Sequence, residues 1–200
     1  GNDADVLSYP QVHDASIDES EPSATRGSSS LRVGIGCGSL VNNMDECRGL
    51  YSLDLGQLPL SSDVNSHSAQ LRIWLNQVPT ADASYMDLSV HRLLNNNFDE
   101  TGATWQSASF GNAWNSAGMT AGVDYDSTPL DTVRIYVTTN SGWLEFDVSD
   151  GLPVIDGTIQ LVLIGTPNNG RMVVDLAHSE DSTSSHHPEL LFNYTTVDDI

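Results

Sequence analysis

The amino-acid sequence predicts an all-β protein, an antiparallel two-sheet jelly-roll sandwich of about ten strands. Three observations carry that prediction. Apolar residues recur with a period of two from one end of the chain to the other, the spacing of a strand with one buried and one wet face. No window sustains a 3.6-residue apolar period, so helices are scarce. Short segments rich in Gly, Asn, Pro and Ser, such as TPNNGR and NSGW, separate the alternating stretches as turns do.

The strands follow in order. QVHDASID (11–18), SLRVGI (30–35), RGLYSLDL (48–55) and AQLRIWLNQV (69–78) come first. In SYMDLSVHRL (84–93), Met86, Leu88 and Val90 alternate with Asp87, Ser89 and His91. Residues 106–131 are the longest stretch without a strand pattern and are expected to drape over one sheet as a loop. Val133, Ile135 and Val137 then alternate with Arg134 and Tyr136, and Leu144, Phe146 and Val148 with Glu145 and Asp147. TIQLVLIG (158–165) is apolar on both faces, which marks an interior strand. Met172, Val174 and Leu176 face away from Asp175, and PELLFNYT (188–195) is the last strand. No shift in composition divides the chain, so residues 12–200 read as one jelly-roll domain behind an extension at 1–11.

The 200 residues carry 27 Asp and Glu against 7 cationic side chains, a formal net charge of -20. All seven cations are Arg (Arg26, Arg32, Arg48, Arg72, Arg92, Arg134 and Arg171) and Lys is absent. Nucleic acid is excluded as a partner, because affinity for a phosphate backbone needs a concentrated cationic surface. Such a charge suits a protein that works in salt or with divalent cations, where screening removes its self-repulsion. No apolar run is long enough to span a bilayer. The N-terminal residues lack the features of a signal peptide, so an export signal is expected to have been removed or to lie outside this sequence.

Cys37 and Cys47 are the only cysteines, ten positions apart in GCGSLVNNMDEC. That spacing suits a disulfide across a loop, which in the chain-entropy model contributes about 2.7 kcal/mol and implies an oxidising compartment. Two free thiols are the alternative, and a zinc knuckle is disfavoured by the long spacing.

Several segments, in order, carry a resemblance. They are HDASIDESEPSATRGSSSLRVG (13–34), GLYSLDLGQLP (49–59), SAQLRIWLNQV (68–78), FDETGATWQ (98–106), WLEFDVSD (143–150) and PELLFNYT (188–195). Together they resemble the DNRLRE-type domain, a secreted β-sandwich related to the carbohydrate-binding modules of alginate lyases. Leu53 stands where that family usually has Phe, the cysteine loop reads as an insertion, and about ten residues precede the first family strand. The resemblance implies an extracellular and usually non-enzymatic setting; fold alone supplies no function.

Candidate chemistry is sparse. There is no G-x-S-x-G elbow for a hydrolytic serine, and GIGCGS (34–39) lacks the third glycine of a phosphate cradle, so no catalytic residue is assigned. Asp99 and Glu100 resemble a structural corner beside Trp105 more than a glycosidase pair. His178, His186 and His187, with Glu180 and Asp181, fit no zinc spacing and read as a solvated loop. Calcium is the possible cofactor, since carboxylates and loop carbonyls are its ligands. Asp14, Asp18, Asp124, Asp126 and Asp147 are the candidates, with Glu19, Glu21 and Asp150 beside them and simple solvated acid as the alternative. Trp74 and Trp114 are the expected stacking residues for sugar rings, because Trp74 alternates out of step with Leu71, Ile73 and Leu75. Asn193 heads the acceptor sequence Asn-Tyr-Thr for N-glycosylation.

Two functions fit these features. The first is an extracellular structural subunit of a surface layer or filament. Its N-terminal Val6, Leu7 and Tyr9 would add a strand to a neighbouring copy. The second is a carbohydrate-binding module for an extracellular polysaccharide. An anionic glycan such as alginate would be repelled unless calcium bridged the two.

Overall fold

The computed structural model describes residues 3–27, 31–40, 42–59, 61–95, 98–152 and 157–197. The serine run 28–30 of the family-like opening lies outside the described residues. Thirteen strands are present among those described, with no element of helix beyond single 3₁₀ turns. They are β1 (Asp3–Leu7), β2 (Val12–Asp18), β3 (Leu31–Ile35), β4 (Glu46–Asp54), β5 (Val64–Ala81) and β6 (Tyr85–Arg92). Next come β7 (Ser107–Ser109), β8 (Asn112–Ala113), β9 (Asp131–Tyr136), β10 (Gly142–Asp147), β11 (Thr158–Pro167), β12 (Met172–Leu176) and β13 (Glu189–Thr196). The predicted all-β class holds, and β1, β7 and β8 are strands beyond the ten expected.

Eleven strands join in one antiparallel hydrogen-bonded network, β1-β13-β5-β12-β3-β4-β11-β6-β9, with β10 added to β5 and β2 to β4. The network curls back on itself: the backbone N–H of Asp147, at the end of β10, donates to the Asp131 carboxylate at the start of β9 (2.8 Å). β5 is the spine. Its 18 residues pair with β13 through Val64–Arg72, with β10 through Gln70–Leu75 and with β12 through Leu75–Ala81. Pro79, which has no N–H to donate, falls at the register shift between Gln77 and Thr80, where a ladder bond is not required.

Alternation sorts the side chains into two apolar cores. Tyr51 and Leu53 of β4, Leu161 and Leu163 of β11, and Leu71, Ile73 and Leu75 of β5 point inward, where they meet Phe146 and Phe192. Fully burying side chains of this size stabilises by roughly 1.5–3 kcal/mol each. Leu50 and Val162 point the other way and, with Ala15 and Ile17 of β2, form a second core. Covering it are Phe98, Ala103, Trp105, Trp114, Met119 and Tyr125. The long loop drapes over the outer face of β2, β4 and β11 as expected, but the covering segment starts at Phe98 rather than 106 and carries the short β7–β8 hairpin where no strand was expected. β11, apolar on both faces, lies between β4 and β6 with a core on each side.

Specific bonds hold that loop. Gln160 clamps Phe98, accepting from its N–H and donating to its carbonyl, both at 2.9 Å. The Asp124 carboxylate accepts from the N–H groups of Asn115 (3.0 Å) and Thr120 (2.7 Å). Gly118, at φ +82°, packs on Trp105, where an added Cβ would lie 2.4 Å from the ring. Cys37 and Cys47 form the expected disulfide, with Cα atoms 6.0 Å apart, tying the β3–β4 connection to the start of β4.

Candidate ligand-binding face

β5 buries Leu71, Ile73 and Leu75, so its even-numbered neighbours Arg72 and Trp74 must face outward. The same alternation in β10 buries Leu144 and Phe146 and turns Trp143 and Glu145 out. Register then sets these side chains side by side: Trp143 lies opposite Trp74, and Arg72 lies between Glu145 on β10 and Glu189 on β13. The two indoles meet edge to face at 5.3 Å and 87°. The imidazole of His186, from the 3₁₀ turn Ser184–His186, stacks flat on Trp74 at 3.9 Å and 7°.

Arg72 links the aromatic and acidic parts. Its guanidinium lies 4.4 Å from the centre of the Trp143 ring, within cation–π range. Nη1 donates to Glu189 Oε1 at 2.7 Å. Nε sits 3.2 Å from Glu145 Oε1 as an ion pair, without the alignment of a hydrogen bond. Both indoles are half-buried. The result is an aromatic patch bordered by a charge-paired guanidinium and two carboxylates. Such a surface can stack on an apolar sugar face and accept from ring hydroxyls.

Of the two tryptophans expected to be exposed, only Trp74 reaches this face. Trp114 is a correction: it is buried in the second core, and its Nε1–H donates to the Thr104 carbonyl at 2.9 Å. A loop without a strand pattern offered no alternation from which to read its direction. Trp143 went unassigned although its signal was present, since WLEFDV alternates as clearly as the Trp74 strand. His186 had no such signal, because its position depends on the path of the 178–188 loop. The other two histidines of that loop lie elsewhere: His187 Nε2 is 2.7 Å from the Asp181 carbonyl, and His178 does not join the stack.

The five candidate calcium ligands are distributed over the fold, each held by donors of this chain. Asp14 accepts from Ser179 N–H (2.8 Å) and Asp18 from Ser20 N–H (2.8 Å) with Arg26 nearby. Asp124 ties the long loop, Asp126 accepts from Thr128 N–H, and Asp147 accepts from Ser149 N–H. Among the described residues no three His, Cys, Asp or Glu side chains gather as a metal site. The N-terminal segment pairs in register with β13 of its own chain; Leu7 is buried, while Val6 and Tyr9 are 56% and 44% exposed. Asn193 is exposed on β13, between Ala4 of β1 and Ser68 of β5.

A second polar cluster lies near β2. Asp14 is fully buried, and burial pushes its carboxyl well above the usual range, with the neighbouring Glu100 and Glu180 adding to the shift and the Ser179 bonds opposing it. Tyr51 is its register partner; its buried hydroxyl has no hydrogen-bond partner, and burial raises its pKa. His13, on the opposite face of β2, pairs with Glu100 (Nδ1 to Oε2, 3.0 Å). Burial raises the Glu100 pKa, and His13 counteracts it. His13, Ser52 and Glu100 share a cleft of about 310 Å³ with Phe98 and Asp99. Although Ser52 sits opposite His13, its hydroxyl accepts from Gln160 Nε2 (3.2 Å), and no hydrogen bond joins it to the imidazole. Asp99 forms the expected corner, its carboxylate accepting from both Thr101 N–H and Oγ1–H at 3.0 Å.

No protein-family model matches the chain, and no curated protein matches it. A solved structure of carbohydrate-binding modules from the β-sandwich superfamily, concerned with their promiscuous specificity, is similar at a TM-score of 0.28 and 11% identity. The similarity covers 88% of this chain and 54% of that one, so the present chain spans about half of that structure's length. No helix among the described residues is long and apolar enough to cross a membrane.

Proposed function

We propose that this protein is an extracellular, non-catalytic domain that binds a polysaccharide through the outer face of β5 and β10. The observation that carries the reading is the pairing of Trp74 with Trp143 on an outward sheet face, beside Arg72, Glu145 and Glu189. A contiguous pair of partly exposed aromatic rings on a sheet face marks a candidate binding patch, and an indole beside carboxylates is chemically suited to a sugar. The resemblance of residues 13–195 to DNRLRE-type domains points the same way. The disulfide accords with an oxidising, extracellular setting. Within this reading the curled network is a two-layer jelly roll, with β1, β13, β5 and β10 as the binding layer.

Affinity electrophoresis through gels containing neutral or acidic polysaccharides tests the proposal. Retardation of the protein by at least one of them, abolished in Trp143→Ala and Trp74→Ala variants of unchanged circular dichroism, is the expected result. Mobility unaltered by every polysaccharide overturns it.

A second reading rests on β1. It is the outermost strand, reached through residues 8–11, with Leu7 as its one buried side chain. Exchange of β1 between copies would build the surface layer or filament expected from the sequence. Light scattering that finds a monomer at all concentrations removes that reading.

A further inference from the structure

The aromatic patch occupies only one end of an open face. Continuing along β5 from Trp74, the outward positions are Arg72, Gln70, Ser68 and Ser66. Register places Asn193 beside Ser68 and Thr195 beside Ser66 on β13. At this far end Ser66, His67, Ser68, Asn193, Tyr194 and Thr195 line a shallow cavity of about 220 Å³. Ser66, Ser68 and Asn193 are exposed, and Ser66 and Thr195 share a hydroxyl hydrogen bond of 2.8 Å. From Trp74 to Ser66 is eight residues, roughly 27 Å at a strand's rise per residue.

We infer that the binding site is a track along β5, running from the Trp74–Trp143 patch to the Ser66–Asn193–Thr195 cavity, and that its ligand is an extended, uncharged polysaccharide lying parallel to this strand. The inference rests on the binding role proposed above. Direction follows from the topology. Across the strands at Trp74, β10 is the last paired strand on one side. On the other the neighbour is Ala177, just past the end of β12, apolar and buried, whose N–H donates to the Trp74 carbonyl; β13 begins only at Glu189, opposite Arg72. Across the strands at Gln70, the path meets Leu191 and Val6, which are apolar.

The absence of charge on the ligand follows from the groups lining the path. The far half presents hydroxyls and amides, which both donate to and accept from sugar hydroxyls. The near half holds one guanidinium, Arg72, against Glu145 and Glu189, with Asp147 beside Gln70. A uronate or sulfated chain would meet excess negative charge there, on a protein whose net charge is -20.

Titration calorimetry of the full chain with cello-, xylo- and manno-oligosaccharides of two and six units, alongside oligoalginate, provides the test. In the series that binds, the hexamer is expected to bind at least tenfold more tightly than the dimer. The double variant Ser68→Ala with Asn193→Ala should reduce hexamer affinity to that of the dimer and leave the dimer unaffected; Trp143→Ala should weaken both. Both double-variant positions are exposed, and an unchanged thermal midpoint will confirm their folding. Hexamer and dimer of equal affinity, or a double variant that binds the hexamer normally, overturn the track and leave the aromatic site standing. Binding of oligoalginate alone overturns the uncharged ligand. No binding of any glycan, in solution or in the gels, overturns the proposed function and this inference with it.

Discussion

Two pairs of tryptophans meet outward sheet faces of this protein, one from a covering loop and one from the strands themselves, and they have opposite fates. Trp105 and Trp114 belong to the 98–125 loop, which turns them inward onto β2, β4 and β11. There Arg48 approaches the Trp105 ring at 5.6 Å and the Thr104 carbonyl takes the Trp114 N–H. Trp74 and Trp143 project from β5 and β10 and are half-buried, with His186 stacked on the first and Arg72 over the second. The residue type is the same, so what separates the two pairs is an anchored chain segment that presses one pair against the sheet and has no counterpart over the other among the described residues. The cleanest experiments exchange the two outcomes.

The largest effect is expected in the covered pair. Trp114→Ala should destabilise the fold by about 3–5 kcal/mol, as emptying a packed aromatic site does. Chemical denaturation would measure it, and a loss below about 1 kcal/mol would mean the loop does not depend on the second core. Next is the clamp beneath that loop: Gln160→Leu leaves the Phe98 N–H and carbonyl without their partner and should cost about 1–3 kcal/mol. Increased proteolysis confined to residues 98–125 would locate the damage.

The open pair should behave in the reverse way. Trp143→Ala is expected to lower stability by clearly less than Trp114→Ala, because its indole is half-buried rather than packed in a core, while abolishing retardation on the polysaccharide that binds. A stability loss matching that of Trp114→Ala would erase the distinction between the two faces.

The smallest effect concerns the acid beneath the sheet. Burial raises the Asp14 pKa in the folded state, so the folded protein holds its proton more tightly than the unfolded chain. Stability is therefore undiminished below the unfolded carboxylate pKa and declines as pH rises through the raised folded value. Asp14→Asn keeps an oxygen for the Ser179 N–H and should raise the thermal midpoint near pH 8, with the advantage vanishing near pH 4. An advantage that grew toward acid would show that the carboxylate form is the one the fold favours.

Period-two alternation made most of the fold legible in the sequence, because each strand that contacts a core must present its apolar residues on one side. It also fixed the outward direction of Trp74 and contained the same information for Trp143. Where alternation failed, so did the reading. β5 extends from Val64 to Ala81, well beyond the expected 69–78, because its Ser66–Ser68 stretch pairs through its backbone while exposing Ser66 and Ser68 on its outer face. The direction of Trp114 and the position of His186 depend on loop paths, which are set by distant partners such as Thr104 and Trp74. The acids singled out for calcium were legible as acids, but the backbone N–H groups that engage them could not be read from composition.

The unbroken length of β5 has a mechanical consequence. Arg72 is bonded into ladders on both sides at once, to β10 and to β13, and Leu75 is likewise shared by β10 and β12. A polymer gripped at Trp74 and pulled along the strand would load these flanking ladders in shear, so many bonds would have to yield together. The same pull directed away from the sheet would peel them one at a time. If the proposed binding role holds, a strand paired on both sides would let the domain hold a taut fibre more firmly than its equilibrium affinity alone would indicate.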